Sequence, residues 1–234
     1  MKHRIWELDA FRGICIIGVV LVHLCFDLID LYGIVSWDYP DIILFLMNWG
    51  GILFILLSGI CATLGRKSVR RGLVVFSCGL LITAVTYAMY HFDFADKSII
   101  IYFGVLHCLG VCMMLWWLLK WLPSWLLLIL AVPMIVIGLY WDTIAPMDHL
   151  WLMPFGLVTS NFCSADYFPL LPNLGYFLVG AVIGRTAYRK KETLLPRVNP
   201  KNPVIRFFSF CGKHSLPIYL LHQPIIAGIC MLLL

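Results

Sequence analysis

The sequence predicts an all-α integral membrane protein, a polytopic bundle of about seven transmembrane helices that forms a single domain over residues 1–234. Of the 234 residues, 62% are hydrophobic and only 12% are charged, and the mean hydropathy is +0.94. Soluble domains carry about 25% charged residues, and one core of this size cannot bury so much apolar surface. In addition, the apolar runs approach the roughly 20 residues that cross a hydrocarbon layer about 30 Å thick.

Seven apolar runs, separated by charged residues or by clusters of proline and glycine, define the predicted spans. They cover residues 11–32, 42–64, 73–90, 99–119, 125–141, 168–186 and 207–232. The first run begins directly after Arg12 and has no small-residue cleavage site, so we expect it to remain as a helix. The loop over residues 142–167 is the longest on its side, and we expect it to fold back as a lid or re-entrant segment.

The distribution of Lys and Arg predicts a cytoplasmic amino terminus, since basic residues gather in cytoplasmic loops. In that orientation 16 of the 17 basic residues lie inside, and only Lys97 lies outside. With seven spans the carboxyl terminus then faces outside.

Composition also excludes several classes of function. The net charge of +5 follows the topology rather than forming a basic domain, and no nucleic-acid module is recognisable, so we expect no nucleic-acid partner. The nine cysteines lack a C-x-x-C spacing and are interpreted as small core residues, with no metal expected. Phosphate-binding glycine loops, G-x-S-x-G and H-E-x-x-H motifs are absent from the sequence.

Ionisable residues at membrane depth are costly and are therefore functional candidates. His23 is expected slightly past the midplane, and His107 at the same level on another span. Asp27 and Asp30 follow His23 at i+4 and i+7, on one helix face, where a carboxylate can orient the imidazole for proton transfer. The alternative is that His23 and Asp27 only tie helices together by buried hydrogen bonds.

Other polar residues complete the candidate site. In the seventh span, His222 and Gln223 precede the helix-loosening Pro224, and Asn48 lies in the second span. Asp9 and Arg12 are spaced to pair across one turn. Basic residues that can meet a phosphorylated ligand at the inner rim are Arg12, Arg66, Arg70, Arg189 and Lys190.

Two other classes of function use the same residues. His23 and His107 on different helices can ligate a b-type haem, although no second histidine pair supports this. A transporter of a small metabolite or anion also needs a polar cluster at the midplane, but two matching halves with interrupted helices are not evident.

Five motifs, taken together, resemble a known family. They are Leu8-Asp9-Ala10-Phe11-Arg12-Gly13 with His23, Leu57-Ser58-Gly59, Phe103-Gly104-Val105-Leu106-His107, residues 169–176 (PLLPNLGY) and residues 215–224 (SLPIYLLHQP). This set is similar to small bacterial members of the heparan-alpha-glucosaminide N-acetyltransferase catalytic-domain family, within the broader class of membrane acyltransferases. The resemblance covers nearly the whole chain.

The resemblance implies an enzyme that moves an acetyl group from cytoplasmic acetyl-CoA, its co-substrate, to a hydroxyl or amine of a sugar-containing acceptor outside. His23 is then the base or an acetylated intermediate, Asp27 orients it, and His107 is the second catalytic candidate. In the lysosomal relatives the catalytic histidine lies in the loop after the first helix, but residues 31–41 contain none here. The resemblance then implies that the histidine of the opening motif takes that role, as in the broader acyltransferase class, or that another residue does.

The resemblance also assigns ligand contacts and a location. The basic inner rim can hold the CoA phosphates, and His107, Asn48, His222 and Gln223 contact the oxyanion or the acceptor. Apart from the resemblance, aromatic and acidic residues of the outer face can hold a glycan or glycolipid acceptor; the alternative is that the Trp and Tyr residues only anchor the protein at the membrane interface. They are Asp166, Tyr167, Trp37, Tyr39, Trp141 and Trp151. The chain has no N-x-S/T site, which suits a multi-pass protein of a bacterial inner membrane surrounded by lipids, and a homodimer is left open.

Overall fold

The computed structural model describes residues 5–141, 150–159 and 161–233. Over these ranges the chain forms eight α-helices and no strand, which confirms the all-α prediction for the described residues. The helices are α1 (Trp6–Phe26), α2 (Asp41–Leu64), α3 (Ser68–His91), α4 (Val105–Leu119), α5 (Ser124–Trp141), α6 (Leu170–Thr186), α7 (Pro203–Lys213) and α8 (Ser215–Leu233). A π-helical turn, Asp27–Leu31, extends α1.

Four described helical stretches are long and apolar enough to cross a membrane. They are Trp6–Leu31, Asp41–Leu64, Ser68–His91 and Ser215–Leu232, and two shorter apolar helices cover Val105–Leu119 and Ser124–Tyr140. The total of seven spans and the orientation of the termini stay predictions.

The fourth predicted span begins later than expected. Lys97–Ile99 is a short 3-10 helix and residues 100–104 are not helical, so α4 begins at Val105 rather than at residue 99. The preceding backbone pairs instead with a distant segment, because the amide of Phe168 donates to the carbonyl of Phe103 at 2.9 Å. His107 is consequently the third residue of a helix and not the middle of one.

The seventh predicted span is two helices, α7 and α8, separated at His214. Pro217 explains the break, since a proline lacks the amide hydrogen and its ring collides with the carbonyl four residues earlier, here that of Lys213. Before α7, the side chain of Asn202 accepts a hydrogen bond from the amide of Val204 at 2.9 Å and caps the helix.

The structure contains two compact units. Unit 1 comprises Met1–Leu57 and Tyr188–Leu234, and unit 2 comprises Ser58–Ala187. The boundary falls within α2, and whether the whole chain acts as one domain stays a prediction.

In unit 1, α1 and α7 pack at very short range through glycines. A Cβ atom on Gly13 would lie 1.9 Å from the carbonyl oxygen of Phe208, and one on Gly212 would lie 1.8 Å from that of Asp9. Ser209 donates to the carbonyl of Trp6 at 3.5 Å on the same face. The opening motif of the sequence thus belongs to a backbone-to-backbone helix contact.

In unit 2, α3 packs on α4 and α5 packs on α6 in the same manner. A Cβ on Gly72 of α3 would lie 2.7 Å from the carbonyl oxygen of Gly110 in α4. A Cβ on Gly138 of α5 would lie 2.4 Å from the nitrogen of Pro172 in α6. Small residues therefore set the helix spacing in both units.

The long loop falls partly outside the described residues. Residues 142–149, residue 160 and the side chain of Trp141 are not described, and Leu150–Phe155 forms a short 3-10 helix. The expected lid or re-entrant fold of residues 142–167 stays a prediction.

Candidate active site

The strongest candidate site lies in unit 1, where one face of α1 meets α8. His23 and Asp27 are four residues apart, so both project toward the same side of α1. Asp27 is also the first residue of the π-helical turn, a local structure that often marks functional sites. The carboxylate is fully buried, at 0% exposure, and a buried carboxylate requires hydrogen-bond donors.

The two histidines of this interface are in contact. The ring centroids of His23 and His222 are 4.9 Å apart, with the planes tilted by 56°. His222 is 8% exposed, and its Nδ1 atom lies 2.6 Å from the carbonyl oxygen of Tyr219 one turn earlier in α8. The ring of Tyr219 packs on that of His222 at 5.4 Å. An imidazole pair of this kind can support proton transfer, because an imidazole can both take and give a proton.

Asp27 is satisfied by Gln223 and not by His23. The Nε2 amide of Gln223 donates to both carboxylate oxygens of Asp27, at 3.0 and 2.9 Å. Among the described residues no hydrogen bond joins Asp27 to His23, which corrects the expectation that the carboxylate holds the imidazole directly. The physical reason is that a buried carboxylate takes the donor that α8 supplies, while the His23 ring packs on His222.

The third member of the expected acidic face, Asp30, binds a tyrosine instead. Asp30 is exposed, and its carboxylate accepts a hydrogen bond from the hydroxyl of Tyr39 in the segment between α1 and α2. Burial, then the hydrogen bond to Asp30 and its charge, raise the pKa of Tyr39 to about 12. The hydroxyl therefore stays protonated at neutral pH and ties the end of the π-helical turn to the following segment.

His107 lies in unit 2, and both of its ring nitrogens are occupied. The amide of Gly104 donates to Nδ1 at 3.2 Å, so Nδ1 carries no proton. The hydroxyl of Thr83 donates to the carbonyl of Ile101 at 2.5 Å, which leaves its oxygen to accept from Nε2 at 3.4 Å. The buried ring closes the first turn of α4, and both of its nitrogens have a partner in this structure.

The surroundings of His107 support this structural role. The ring lies between Phe76, at 5.4 Å, and Phe103, at 5.6 Å. A Cβ on Gly79 would lie 3.0 Å from three ring atoms, so the absence of a side chain there makes room for the imidazole. Its assignment as a catalytic residue, made from its expected depth and from the resemblance, stays a prediction.

Asp166 and Tyr167 lie near His107 in the same unit. The carboxylate of Asp166 accepts from the amide of Val105 at 3.0 Å, at the amino end of α4, where a negative charge is favoured. The hydroxyl of Tyr167 donates to the carbonyl of Met153 at 2.6 Å. These contacts fix the segment before α6 to the start of α4, and a role in binding a sugar acceptor stays a prediction.

The basic residues proposed for CoA are divided between the units. In unit 1, Arg12 pairs with Asp9 at 3.6 Å, as their spacing predicts, and both side chains are largely buried. The other four are exposed, Arg66 and Arg70 in unit 2 and Arg189 and Lys190 in unit 1. Their role as phosphate contacts stays a prediction.

The remaining candidates are exposed within the described structure. Asn48 is exposed on α2 and has no hydrogen bond among the described residues. Trp37 and Trp151 are 75% and 71% exposed. Their proposed roles in acceptor binding stay predictions.

Sequence reasoning missed the residues that hold the candidates in place. Tyr219, whose carbonyl oxygen contacts Nδ1 of His222, precedes that residue by three positions. This spacing places both residues on one face of a helix and could have predicted the contact. Thr83 and Gly79, which contact His107, belong to α3, and no local sequence pattern predicts these contacts. In the described part of the chain no group of three or more His, Cys, Asp or Glu side chains is arranged to hold a metal ion.

The described fold and site define a class of protein: all-helical chains with apolar helices of membrane-spanning length and a buried polar cluster between two of them. Within that class, the chain belongs to the heparan-alpha-glucosaminide N-acetyltransferase catalytic family, whose model matches residues 4–224. The match confirms the resemblance seen in the five sequence motifs. No curated protein and no solved structure matches the chain. The family's name denotes an N-acetyltransferase, so the chain is assigned to the acetyltransferases.

Proposed function

We propose that this protein transfers an acetyl group from acetyl-CoA to the amine or hydroxyl of a sugar-containing acceptor, and that the reaction occurs at the α1–α8 interface of unit 1. The family match supports the reaction class. The observation that carries the location is the contact between His23 and His222 beside the buried pair of Asp27 and Gln223. No other group of described side chains combines two imidazoles with a buried carboxylate.

His23 is the proposed base. As the nitrogen or oxygen of the acceptor attacks the thioester carbonyl of acetyl-CoA, His23 takes the proton that this atom loses. The carbon–sulfur bond breaks as the tetrahedral intermediate collapses, and the proton on His23 passes to the CoA thiolate. His23 suits this role because its ring is half-buried and has no hydrogen bond among the described residues, whereas His107 has two.

Asp27 acts through Gln223 in this proposal. Its carboxyl group lies one helical turn from His23 and accepts both hydrogen bonds from Gln223. Its two hydrogen bonds also hold Gln223, the neighbour of His222, in one orientation. Asp27 is therefore a positioning residue and not a direct partner of the base.

The donor is proposed from the family resemblance and the sidedness from the charge distribution. Arg12, Arg189 and Lys190, basic residues of unit 1, are proposed to bind the phosphates of CoA from the cytoplasm, since Arg and Lys recognise phosphate and gather on that side. The role of Arg66 and Arg70 of unit 2 stays an expectation from the sequence. The acceptor, a glycan or glycolipid, is proposed to enter from the outside of a bacterial inner membrane. This part of the proposal rests on the sequence.

Acetyl-CoA turnover by the purified protein tests the proposed site. Free CoA thiol is followed with and without an acceptor for the unaltered chain, His23→Ala and Asp27→Asn, and exposed His91 provides the control substitution His91→Ala. We expect His23→Ala to lower turnover about 10²–10⁴-fold, the usual contribution of a general base, and His91→Ala to leave it unchanged.

Turnover together with acetyl-CoA binding distinguishes a wrong catalytic residue from a wrong reaction class. If His23→Ala matches the unaltered protein in turnover, the catalytic assignment is wrong. If the unaltered protein releases no CoA and acetyl-CoA does not raise its melting temperature, the acetyltransferase proposal itself fails, because a bound co-substrate stabilises the folded state.

A further inference from the structure

We propose that the exposed side of α7 is a docking surface for anionic phospholipid, with an apolar strip that enters the lipid and a basic strip that binds the headgroup phosphates. The apolar strip comprises Val204, Phe207 and Phe210, and the basic strip comprises Arg206 and Lys213. Both strips lie in unit 1. They share no residue with the proposed α1–α8 site or with the set proposed to bind CoA.

The apolar strip is left uncovered by the described chain. Val204, Phe207 and Phe210 recur at intervals of three residues, so they share one side of the helix. They are 61%, 56% and 60% exposed, whereas Ser209 and Gly212, on the side that packs on α1, are buried. Three large apolar side chains exposed together on one short helix mark an interaction surface.

The basic strip borders the apolar strip. Arg206 and Lys213 are seven residues apart, which is two helical turns, and both are exposed. Each lies three or four residues from Phe210, so the aliphatic stems of both side chains can lie beside the apolar strip while the charged ends stay in water. An apolar side bordered by Lys and Arg is typical of a helix that lies in the plane of a membrane interface.

The position of α7 agrees with such a location. The helix has 11 residues, and at 1.5 Å per residue its length of about 16 Å is too short to cross a layer about 30 Å thick. It directly precedes Ser215–Leu232, a stretch long and apolar enough to span a membrane. It also contacts Trp6 and Asp9 at the amino end of a second such stretch, Trp6–Leu31. A short amphipathic helix where two candidate spans begin or end is expected at the membrane boundary.

The charge of the surrounding segment selects an anionic occupant. Residues 189–213 contain seven Lys and Arg residues, all of them exposed, and a single acidic residue, Glu192. Glu7 of α1 accepts hydrogen bonds from the hydroxyl of Thr193 and the amide of Leu194, both at 2.8 Å, which holds this segment at the same end of α1 as α7. Clusters of roughly four to eight Lys and Arg residues beside a span attract anionic lipid. A second copy of this chain fits less well, because two basic surfaces repel each other.

Lipid titration of the purified protein in detergent tests the basic strip. Phosphatidylglycerol and phosphatidylcholine with identical acyl chains are the probes, and native mass spectrometry measures the bound lipid. We expect Arg206→Gln and Lys213→Gln each to lower the affinity for phosphatidylglycerol about fivefold, and the double variant about 30-fold, since each Lys or Arg near an anionic surface contributes about 1 kcal/mol. The affinity for phosphatidylcholine should not change. Lys97→Gln, at an exposed position of unit 2, is the control and should affect neither lipid.

The apolar strip has a different signature in the same titration. Phe207→Ser and Phe210→Ser change exposed positions and leave the glycine contact with α1 intact. They should weaken the binding of both lipids to the same degree, because lost apolar area affects the acyl chains whatever the headgroup. High ionic strength should weaken only the binding of phosphatidylglycerol, because salt screens the charges.

Three results would overturn the proposal. The first is an equal affinity for phosphatidylglycerol in the unaltered protein and in the double variant of Arg206 and Lys213. The second is displacement of phosphatidylglycerol by inorganic phosphate at matched ionic strength, which would make the basic strip a site for a soluble phosphate. The third is a change of oligomeric state in Phe207→Ser, which would make the apolar strip an interface between copies of this chain. None of these measurements requires acetyl transfer, so failure of the proposed active site leaves them unaffected.

Discussion

Replacement of Gly212 by alanine should separate α7 from α1. The Cβ atom that Gly212→Ala introduces would lie 1.8 Å from the backbone carbonyl oxygen of Asp9, whereas real Cβ contacts essentially never fall below 3.0 Å. The helices must therefore move apart by about 1.2 Å, the difference between these two distances. A backbone carbonyl cannot rotate away as a flexible side chain can, so the clash is relieved only when the two helix backbones move apart.

The expected change in the free energy of unfolding of Gly212→Ala is the sum of two opposing effects. Overpacking of a tight contact costs typically about 1–3 kcal/mol and occasionally more, and the rigid backbone contact places this case at the upper end. Alanine recovers up to about 1 kcal/mol because it is a better helix former than glycine. We expect a net loss of about 2 kcal/mol, which lowers the melting temperature of a chain of this length by about 4–8 °C.

The assay is thermal unfolding of the purified protein in detergent, with Gly50→Ala as the matched control. Gly50 also lies in a helix of unit 1, but no described atom would lie within 4 Å of a Cβ there. Gly50→Ala should therefore be neutral or slightly stabilising. Equal melting temperatures for Gly212→Ala and the unaltered protein, or an equal loss in both variants, would refute the packing argument.

Two further predictions concern residues outside the α1–α8 interface. His107→Ala should cost about 2–4 kcal/mol of stability, because it leaves a cavity and an unpaired amide at Gly104, yet turnover assayed well below its melting temperature should persist; complete inactivity of the folded variant contradicts this. Glu7→Ala should speed tryptic cleavage after Arg189 severalfold, because Glu7 accepts two hydrogen bonds at 2.8 Å from the segment that follows. Exposed Glu192 supplies the control Glu192→Ala, and equal cleavage of both variants argues against this restraint.

Much of the helical framework was predictable because membrane-length apolar runs are local features. The predicted spans 42–64 and 125–141 correspond closely to Asp41–Leu64 and Ser124–Trp141. The start of α4 was not predictable in this way. The carbonyl of Phe103, just before α4, accepts a hydrogen bond from the amide of Phe168, and no local sequence pattern reveals a contact between such distant residues. The break between α7 and α8 at His214 had a local sequence signal, Pro217. Counting apolar residues overlooks it, because the count ignores how a proline disrupts the preceding helical turn.

The candidate site shows the same division. The i, i+4 spacing of His23 and Asp27 placed both on one face of α1, because helical periodicity depends on the chain alone. Their partners, His222 and Gln223, follow about 200 residues later, and only folding brings α8 against that face. Spacing could not show that Gln223, rather than His23, supplies the donors for Asp27.

By itself, the sequence determined that this is a helical protein with apolar helices of membrane-spanning length, that His107 and His222 are buried, and which family the motifs resemble. Composition and periodicity suffice for that, since lipid and helix geometry act on each segment separately. Only the tertiary structure shows what contacts His107 and His222. The nitrogens of His107 contact Gly104 and Thr83, while Nε2 of His222 is buried without a hydrogen-bond partner among the described residues. The hydrogen-bond partner of a ring nitrogen determines whether that nitrogen carries a proton or a lone pair, and the partners come into contact only in the folded chain.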